Sequence, residues 1–525
     1  MPTPKGAIAA GHPITVAAGV QIFEAGGNAF DAAVGAVMAS FVAEPMLTSV
    51  AGGGFLLAHT ADQQDVLFDF FTQTPRHKRN SKEIDFYPVS VQFGSGVTQE
   101  FHIGLGSMAV PGTIQGLLQV HQRLGRLPLS VVAEPAIAAA QSGVEVNEFQ
   151  AYCFHILSPI ILASDAARQI YVTDGKLPQV GDRLKMPELA DSLRYLVAEG
   201  ARGFYEGEIA QRLVRDCQEQ GGYLTLEDLA QYQVIERQPL MTCYRGNTFL
   251  TNPPPSSGGT LIAFALGLLS GLDLSAIAPH STAYVQVLAE VMRLTNQARQ
   301  EGYDGRLYEG AIAQEFLAPD HLAKYLANLS RFNPRLSPAV NKWGSTTHVS
   351  AIDREGNAAS VTTSNGEGSS YVIPGTGIMV NNMLGEADLH PQGFHQWQPN
   401  VRISSMMSTT MVLKNQRPEL VLGSGGSNRI RTAILQVISQ VLDFGQSIEA
   451  AVSSPRLHWE GGVLNLEPGF DPLPLQTQEF PFNGTVEQWP QQNMFFGGVH
   501  AVTCDETGDL AGAGDRRRGG AFARV

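Results

Sequence analysis

The feature that most constrains this chain is a change of texture near residue 345. Beyond it, short runs alternate apolar and polar residues with the two-residue period of a strand. "THVSAID" and "AASVTTS" flank "REGN" and predict a hairpin, and "MMSTTMVLK" and "PELVLGSGG" predict two more strands. "NRIRTAILQVISQVLDFG" reads as a helix, and short strands close the sequence. Before residue 345, helix dominates. "TVAAGVQIFEAGG" has helical apolar spacing and ends on a double glycine suited to a C-cap. "NAFDAAVGAVMASFVAEP" starts on Asn28, a good N-cap, and is apolar on most faces, so it is expected to be buried.

"SVAGGGFLLAH" and "DVLFDFF" read as strands; "GTIQGLLQVHQRLG", "VVAEPAIAAAQSG" and "PELADSLRYLVAEG" read as helices that end at glycine. "TNPPPSSGGT" must be a rigid turn, since three prolines exclude helix. A polar stretch, "LSRFNPRLSPAVNKWGS", leads up to Ser345. Alternating strand and helix blocks with a long helical segment predict a layered α/β or α+β protein, with a natural boundary near 345 and no internal repeat.

Bulk properties narrow the function. Net charge is −14, and "PRHKR" and "DRRRGG" are too short and isolated to bind nucleic acid, so both read as solvated loop charge. Four distant cysteines without a CxxC spacing read as reduced structural thiols. No apolar run is long enough to span a membrane. The N-terminus lacks the basic and apolar regions of a signal peptide, so the expected location is cytoplasmic.

Chemistry centres on "GSTTHVSAID", residues 344–353. A Thr-Thr pair at a strand start is by itself compatible with structure alone, since threonine favours strands. A specific chemistry is also open to it. If the Ser345–Thr346 bond is cut, the new α-amine, titrating near ~7.7–8.0, can serve as base for the hydroxyl of its own residue. "GSGGSN", residues 423–428, joins a strand to a helix and offers backbone N–H groups to an oxyanion, or is a plain glycine turn. "RISSMMS" supplies Ser404 and Ser405 as carboxylate donors, and "NNMLGEADLH" supplies amides and a carboxylate in a turn. Rival chemistries are absent: there is no G-x-S-x-G elbow, no HExxH, and no G-x-G-x-x-G before a helix. His390 and His395 bracket a Pro/Gly loop and read as binding nothing.

Taken together and in order, "GGNAFDAAV", "AGGGF", "AVPGT", "GGYLTLEDLAQY", "NPPPSSGG", "TTHVSAIDREGNAASVTTS", "GTGIMVNN", "SSM" and "GSGG" resemble the γ-glutamyltranspeptidase (glutathione hydrolase) family of N-terminal-nucleophile hydrolases. The resemblance spans nearly the whole chain. It implies an α+β fold, a four-layer αββα sandwich made as one zymogen. Autocleavage would give a helix-rich large subunit, 1–345, and a β-rich small subunit, 346–525, that stay together as a heterodimer. It implies Thr346 as nucleophile and Ser364 at the place of a second threonine that bonds the nucleophile. Gly425 and Gly426 take the place of the oxyanion-hole backbone, and Ser404 and Ser405 that of binders of a substrate α-carboxylate. No cofactor, metal, nucleic acid or membrane partner is implied.

Three departures touch the substrate. Phe71 in "DFFT" stands where the family carries an arginine for the glutamyl α-carboxylate, and phenylalanine cannot replace a bidentate guanidinium. Glu386 replaces an aspartate that receives the α-ammonium, and Met383 replaces a polar residue before it. The loop after Ser364 is shortened to "NGEGSS", so that a usual asparagine ligand falls loosely on Asn365 and Glu367 has no counterpart. Arg76 and Arg79 are the nearest candidates for a displaced cation, with exposed loop charge as the alternative. The leading expectation is a threonine hydrolase or acyltransferase. It would pass the acyl group of a small γ-glutamyl amide, glutathione-like, through acyl-Thr346 to water or an amine. The alternatives are an acylase for non-glutamyl amides, or an unprocessed binding scaffold.

Overall fold

Thr347–Asp353 and Ala358–Ser364 are buried along their whole length, so both faces of this hairpin must be covered. The computed structural model describes residues 5–93, 97–327, 329, 344–390, 392–473 and 484–525, and shows how the cover is built. The hairpin lies in the middle of a seven-stranded antiparallel sheet. Its order is Ala521–Arg524, Gly6–Ala10, Thr347–Asp353, Ala358–Ser364, Gly53–His59, Asp65–Phe70 and Ile235–Arg237. A six-stranded antiparallel sheet packs on it, in the order Leu510–Ala513, Gly498–Cys504, Arg417–Gly425, Thr410–Lys414, Asn247–Thr251 and Leu240–Tyr244.

Three apolar cores mark three interfaces between four layers. Phe55, Leu57, Ile352, Val421 and Val502 fill the space between the sheets. Val34, Val37, Val349 and Val361 join the first sheet to the helices Pro13–Glu24 and Ala29–Ala43. Leu420, Leu422, Phe264 and Ile434 join the second sheet to the helices Gly258–Ser270 and Arg429–Leu442. Apolar side chains leave each sheet on both faces in turn, which is why each sheet needs two partners. The αββα sandwich of the α+β class expected from the resemblance is therefore the observed architecture.

Local signals held where they were long. Ala29–Ala43 starts at Asn28 in a capping box with Asp31 and is buried at every residue. Thr113–Leu124, Leu129–Ser142 and Pro187–Glu199 are the helices read from their period. Gly6–Ala10 escaped the reading because five small or aliphatic residues carry no period of their own; they form a strand only because two neighbours pair with them. The hairpin Tyr87–Phe93 with Val97–Ile103 was also not foreseen.

The boundary at 345 is not a boundary in space. Each sheet contains strands from both sides of it, so 1–345 and 346–525 form one interleaved body. Most of the polar stretch ahead of Ser345, residues 330–343, lies outside the described residues. Among the described residues no helix is long and apolar enough to cross a membrane.

"DRRRGG" is not solvated loop charge. Arg517 and Arg518 are buried, and Asp515 holds Arg456 at 2.6 Å and Arg517 at 3.2 Å, while Glu467 holds Arg517 at 2.5 Å. The motif contains Asp515 but not the other members of the cluster: Glu467 lies 50 residues from Arg517, and Arg456 is comparably remote in sequence. Removing Asp515 from this network takes the ion-pair partner from the buried Arg456 and leaves Arg517 on Glu467 alone. Asp515→Asn should cost about 3–5 kcal/mol, read from urea unfolding of the uncut chain.

Candidate active site

Residues of the strand Thr347–Asp353 point alternately to the helices and to the second sheet. Thr347 turns to the helices, where its hydroxyl donates to Glu44 at 2.5 Å; Glu44 also accepts from the Thr15 hydroxyl at 2.9 Å. Thr346, just ahead of the strand, lines an open cleft together with Ser345, Ser364, Phe71 and Glu386. Its Oγ1 donates to the carbonyl of Ser345 at 2.8 Å, and Ser364 Oγ donates to the same oxygen at 2.5 Å. Two hydroxyls thus converge on the carbonyl of the bond that precedes Thr346.

The backbone on either side is pinned. The guanidinium of Arg518 donates to the carbonyls of Gly344 at 3.1 Å and Thr346 at 3.4 Å, one on each side of the Ser345–Thr346 bond. Ser345 N–H donates to Glu367 Oε1 at 3.2 Å. Gly425 lies against Thr346: a Cβ there would sit 2.1 Å from the Thr346 carbonyl oxygen, so the strand end tolerates only glycine. Gly426, at φ +124°, turns the chain out of the strand toward the helix Arg429–Leu442. Cys153 and Cys217 are no rival nucleophiles, because burial pushes both thiols up to about 12.

The cleft is acidic and apolar. Glu367, Glu386 and Asp388 line it alongside Phe71, Met383, Leu389, Met406, Met407 and Ile430, with no Lys, Arg or His among the lining residues described. Burial, and then the neighbouring Glu386 carboxyl, hold Glu367 well above the usual carboxylate range; burial raises Glu386 as well. Glu367 sits between Gly366 and Gly368, both at positive φ, and its N–H donates to Asn382 Oδ1 at 2.9 Å.

Among the residues singled out from sequence, Thr346, Ser364, Phe71, Glu386 and Ser405 meet at the cleft, and Gly425 borders Thr346. Ser405 Oγ accepts from Met407 N–H at 3.1 Å. Ser404 is half-buried and does not line the cleft. Asn365 also stays out of it. Its amide is buried and directed at the Met379 carbonyl, 3.5 Å away, because its backbone is tied to Leu47 and Asn382 behind the cleft wall. Neither Arg76 nor Arg79 supplies a cation: Arg79 donates to the carbonyls of Cys217 and Gly222, and Arg76 is not a lining residue. Arg402 is caged behind Phe71 by Tyr232, the Gln233 carbonyl and Asp69. His390 bonds the Met383 carbonyl and His395 the Tyr223 hydroxyl. Glu44 and Arg518 went unrecognised in the sequence. Arg518 had only its place in an Arg run as a signal, and Glu44 had none.

Two stacked antiparallel sheets between helix layers, with a hydroxyl residue at the head of a central strand, form the scaffold of an N-terminal-nucleophile hydrolase. Within that class the chain belongs to the Gamma-glutamyltranspeptidase family, whose sequence profile matches residues 15–525, and it is an enzyme of that family. It is 32% identical to an acylase ACY 1 proenzyme of Pseudomonas sp. (strain V22), over 97% of this chain and 91% of the relative. It is 28% identical to a glutathione hydrolase proenzyme of Bacillus subtilis (strain 168), over 98% and 91%. The fold matches the crystal structure of cephalosporin acylase from Bacillus halodurans at a TM-score of 0.85, 24% identity, and 99% and 96% coverage.

Burial pushes Glu44 up to about 7 from 4.5. A carboxyl raised on folding binds more protons folded than unfolded, so stability is greatest below about pH 4.5 and is lost as pH rises through 7. The shift corresponds to about 3 kcal/mol. In an uncut Thr346→Ala background, Glu44→Gln should flatten the fall in unfolding free energy between pH 4.5 and 7.5 by up to that amount, as measured by urea unfolding across the range.

Proposed function

We propose that the chain cleaves itself between Ser345 and Thr346. The product hydrolyses small amides through an acyl-Thr346 ester, and its preferred acyl groups lack the α-carboxylate of a γ-glutamyl unit. The observation that supports the cleavage is the convergence of the Thr346 and Ser364 hydroxyls on the Ser345 carbonyl. Thr346 Oγ attacks the Ser345 carbonyl carbon while Ser364 donates to the oxygen on which negative charge develops. The hydroxyl proton passes to the departing nitrogen as the C–N bond breaks, leaving Ser345 as an ester on Thr346 Oγ and freeing the α-amine. Water hydrolyses the ester and releases the end of fragment 1–345. Interleaved strands keep 1–345 and 346–525 together as a heterodimer.

In the processed enzyme the α-amine of Thr346 takes the hydroxyl proton as Oγ attacks a substrate amide, and returns a proton to the leaving amine. The backbone at Gly425 borders the Thr346 carbonyl, next to the reacting bond, and Gly426 follows it beside Arg518. Water or an amine then receives the acyl group. The reading against a glutamyl α-carboxylate is supported by the cleft's charge: three acids, no base, and Phe71 stacked on Phe55 at 5.5 Å. An unmatched carboxylate beside buried acids is disfavoured. The names of acylase relatives agree with this reading. A second reading, γ-glutamyl transfer, draws on Glu386 and Ser405 in the cleft and on relatives named glutathione hydrolase.

Purified protein should run as two bands on a denaturing gel, with the smaller starting at Thr346 by N-terminal sequencing. Thr346→Ala should remain one chain of 56.4 kDa; cleavage of that variant at 345/346 would refute the nucleophile. Leaving a glutamyl carboxylate unpaired beside buried acids costs about 1–3 kcal/mol or more, so simple acyl anilides should exceed a γ-glutamyl anilide about tenfold or more in kcat/KM. The opposite order would favour the second reading.

A further inference from the structure

The intact chain already holds one acyl group in the cleft, its own Ser345. The Ser345 carbonyl takes the two hydroxyls described above, and its N–H, on the carbon next to that carbonyl, donates to Glu367 Oε1 at 3.2 Å. The ester through which the proposed self-cleavage passes is itself an acyl-enzyme, and its acyl group is an α-aminoacyl one. From this placement we propose that the processed enzyme hydrolyses α-aminoacyl amides, seating the free α-ammonium of the substrate on Glu367 beside Glu386. The proposal rests on the acyl-Thr346 reading and names its substrate class.

Three observations carry it. First, departure of the fragment end takes from Glu367 Oε1 its N–H donor. Glu367 is 3% exposed, and its Oε2 has no donor among the described residues other than the Glu386 carboxyl beside it. Two carboxyls in contact at a buried site require a proton or a cation between them. An ammonium brings three N–H donors and one positive charge to the place where a peptide brought a single N–H.

Second, Glu367 is held rather than merely present. Gly366 and Gly368 at positive φ form its turn, and its own N–H is fixed on Asn382. The carboxyl therefore stands at a set distance from the Ser345 carbonyl. A γ-glutamyl amide carries its amine two carbons further from the scissile carbonyl and brings a carboxylate as well. Third, much of the remaining wall is apolar, with Phe71, Met383, Met406, Met407 and Ile430 placed to receive a small apolar side chain.

In the reaction, Thr346 Oγ forms a bond to the aminoacyl carbonyl carbon and the amide C–N bond breaks. The leaving amine takes the proton relayed by the Thr346 α-amine. Water then splits the ester, giving the free amino acid and restoring the hydroxyl.

The test uses the wild-type processed heterodimer and four p-nitroanilides: L-alanyl, N-acetyl-L-alanyl, propionyl and γ-glutamyl, followed by release of p-nitroaniline. The alanyl anilide should exceed the propionyl and N-acetylalanyl anilides by about 10- to 100-fold in kcat/KM, as a charge-assisted hydrogen bond gives. In Glu367→Gln protein shown by gel to be processed, the ratio of alanyl to propionyl turnover should fall toward one. Equal turnover of alanyl and propionyl anilides by the wild type would overturn the ammonium site and leave the acyl-Thr346 reading standing. Turnover of the γ-glutamyl anilide alone would overturn the site in favour of glutamyl selection. Processed protein that splits none of the four would overturn the acyl-Thr346 reading, and the ammonium site with it.

Discussion

The carbonyl of Ser345 is the point on which the arrangement turns. It accepts from Thr346 Oγ1 and Ser364 Oγ, while Arg518 grips the carbonyls before and after it and Glu367 takes the N–H behind it. Each contact comes from a different part of the fold. Ser364 ends the neighbouring strand, Arg518 lies in the last turn before the C-terminal strand, and Glu367 sits in the shortened loop after Ser364. A stretch of backbone fixed at four atoms, from Gly344 O to Thr346 O, cannot relax away from an adjacent hydroxyl, and positioning of that kind lowers the barrier to attack. The central place of Thr347–Asp353 in the first sheet makes this rigidity possible, since its whole length is buried between two layers.

Charge inside the cleft follows a separate logic. The chain just past the strand that ends at Phe70 delivers the aromatic ring of Phe71, and the guanidinium behind it, Arg402, is spent on Asp69, Tyr232 and the backbone. The opposing wall delivers three acids. An acidic, apolar pocket beside an acyl-accepting hydroxyl selects by what it repels as much as by what it binds. Family membership fixes the scaffold and the class of chemistry; the walls of this cleft determine which acyl group enters, and they differ at Phe71, Met383, Glu367 and Glu386 from the pattern the sequence motifs resemble.

Much of the layered fold was legible because it rests on period and capping. Ala29–Ala43 announced itself through Asn28 and an unbroken apolar composition, and the Thr347–Ser364 hairpin through alternation around a turn. Gly6–Ala10 was illegible because a five-residue strand of small residues is defined by its neighbours. The same holds for the site. Thr346, Ser364, Ser405, Phe71 and Glu386 could be named from ordered motifs. Asn365 and Ser404 stay out of the cleft: the shortened loop after Ser364 directs the Asn365 amide at the Met379 carbonyl, and Ser404 is half-buried outside the lining.

The sequence by itself determined the long periodic elements, the layered class and the threonine at the head of a strand, since each shows in residues adjacent in the chain. Tertiary structure alone decided that "DRRRGG" is an interior ionic cluster, that Arg518 spans the Ser345–Thr346 bond, and that Glu44 supports the strand from below. It also interleaved 1–345 with 346–525, where the texture of the sequence had suggested a division. The physical reason is common to these cases. Burial and pairing of charge depend on partners tens to hundreds of residues away, and no local pattern of residue types records which partner a folded sheet will bring within hydrogen-bonding distance.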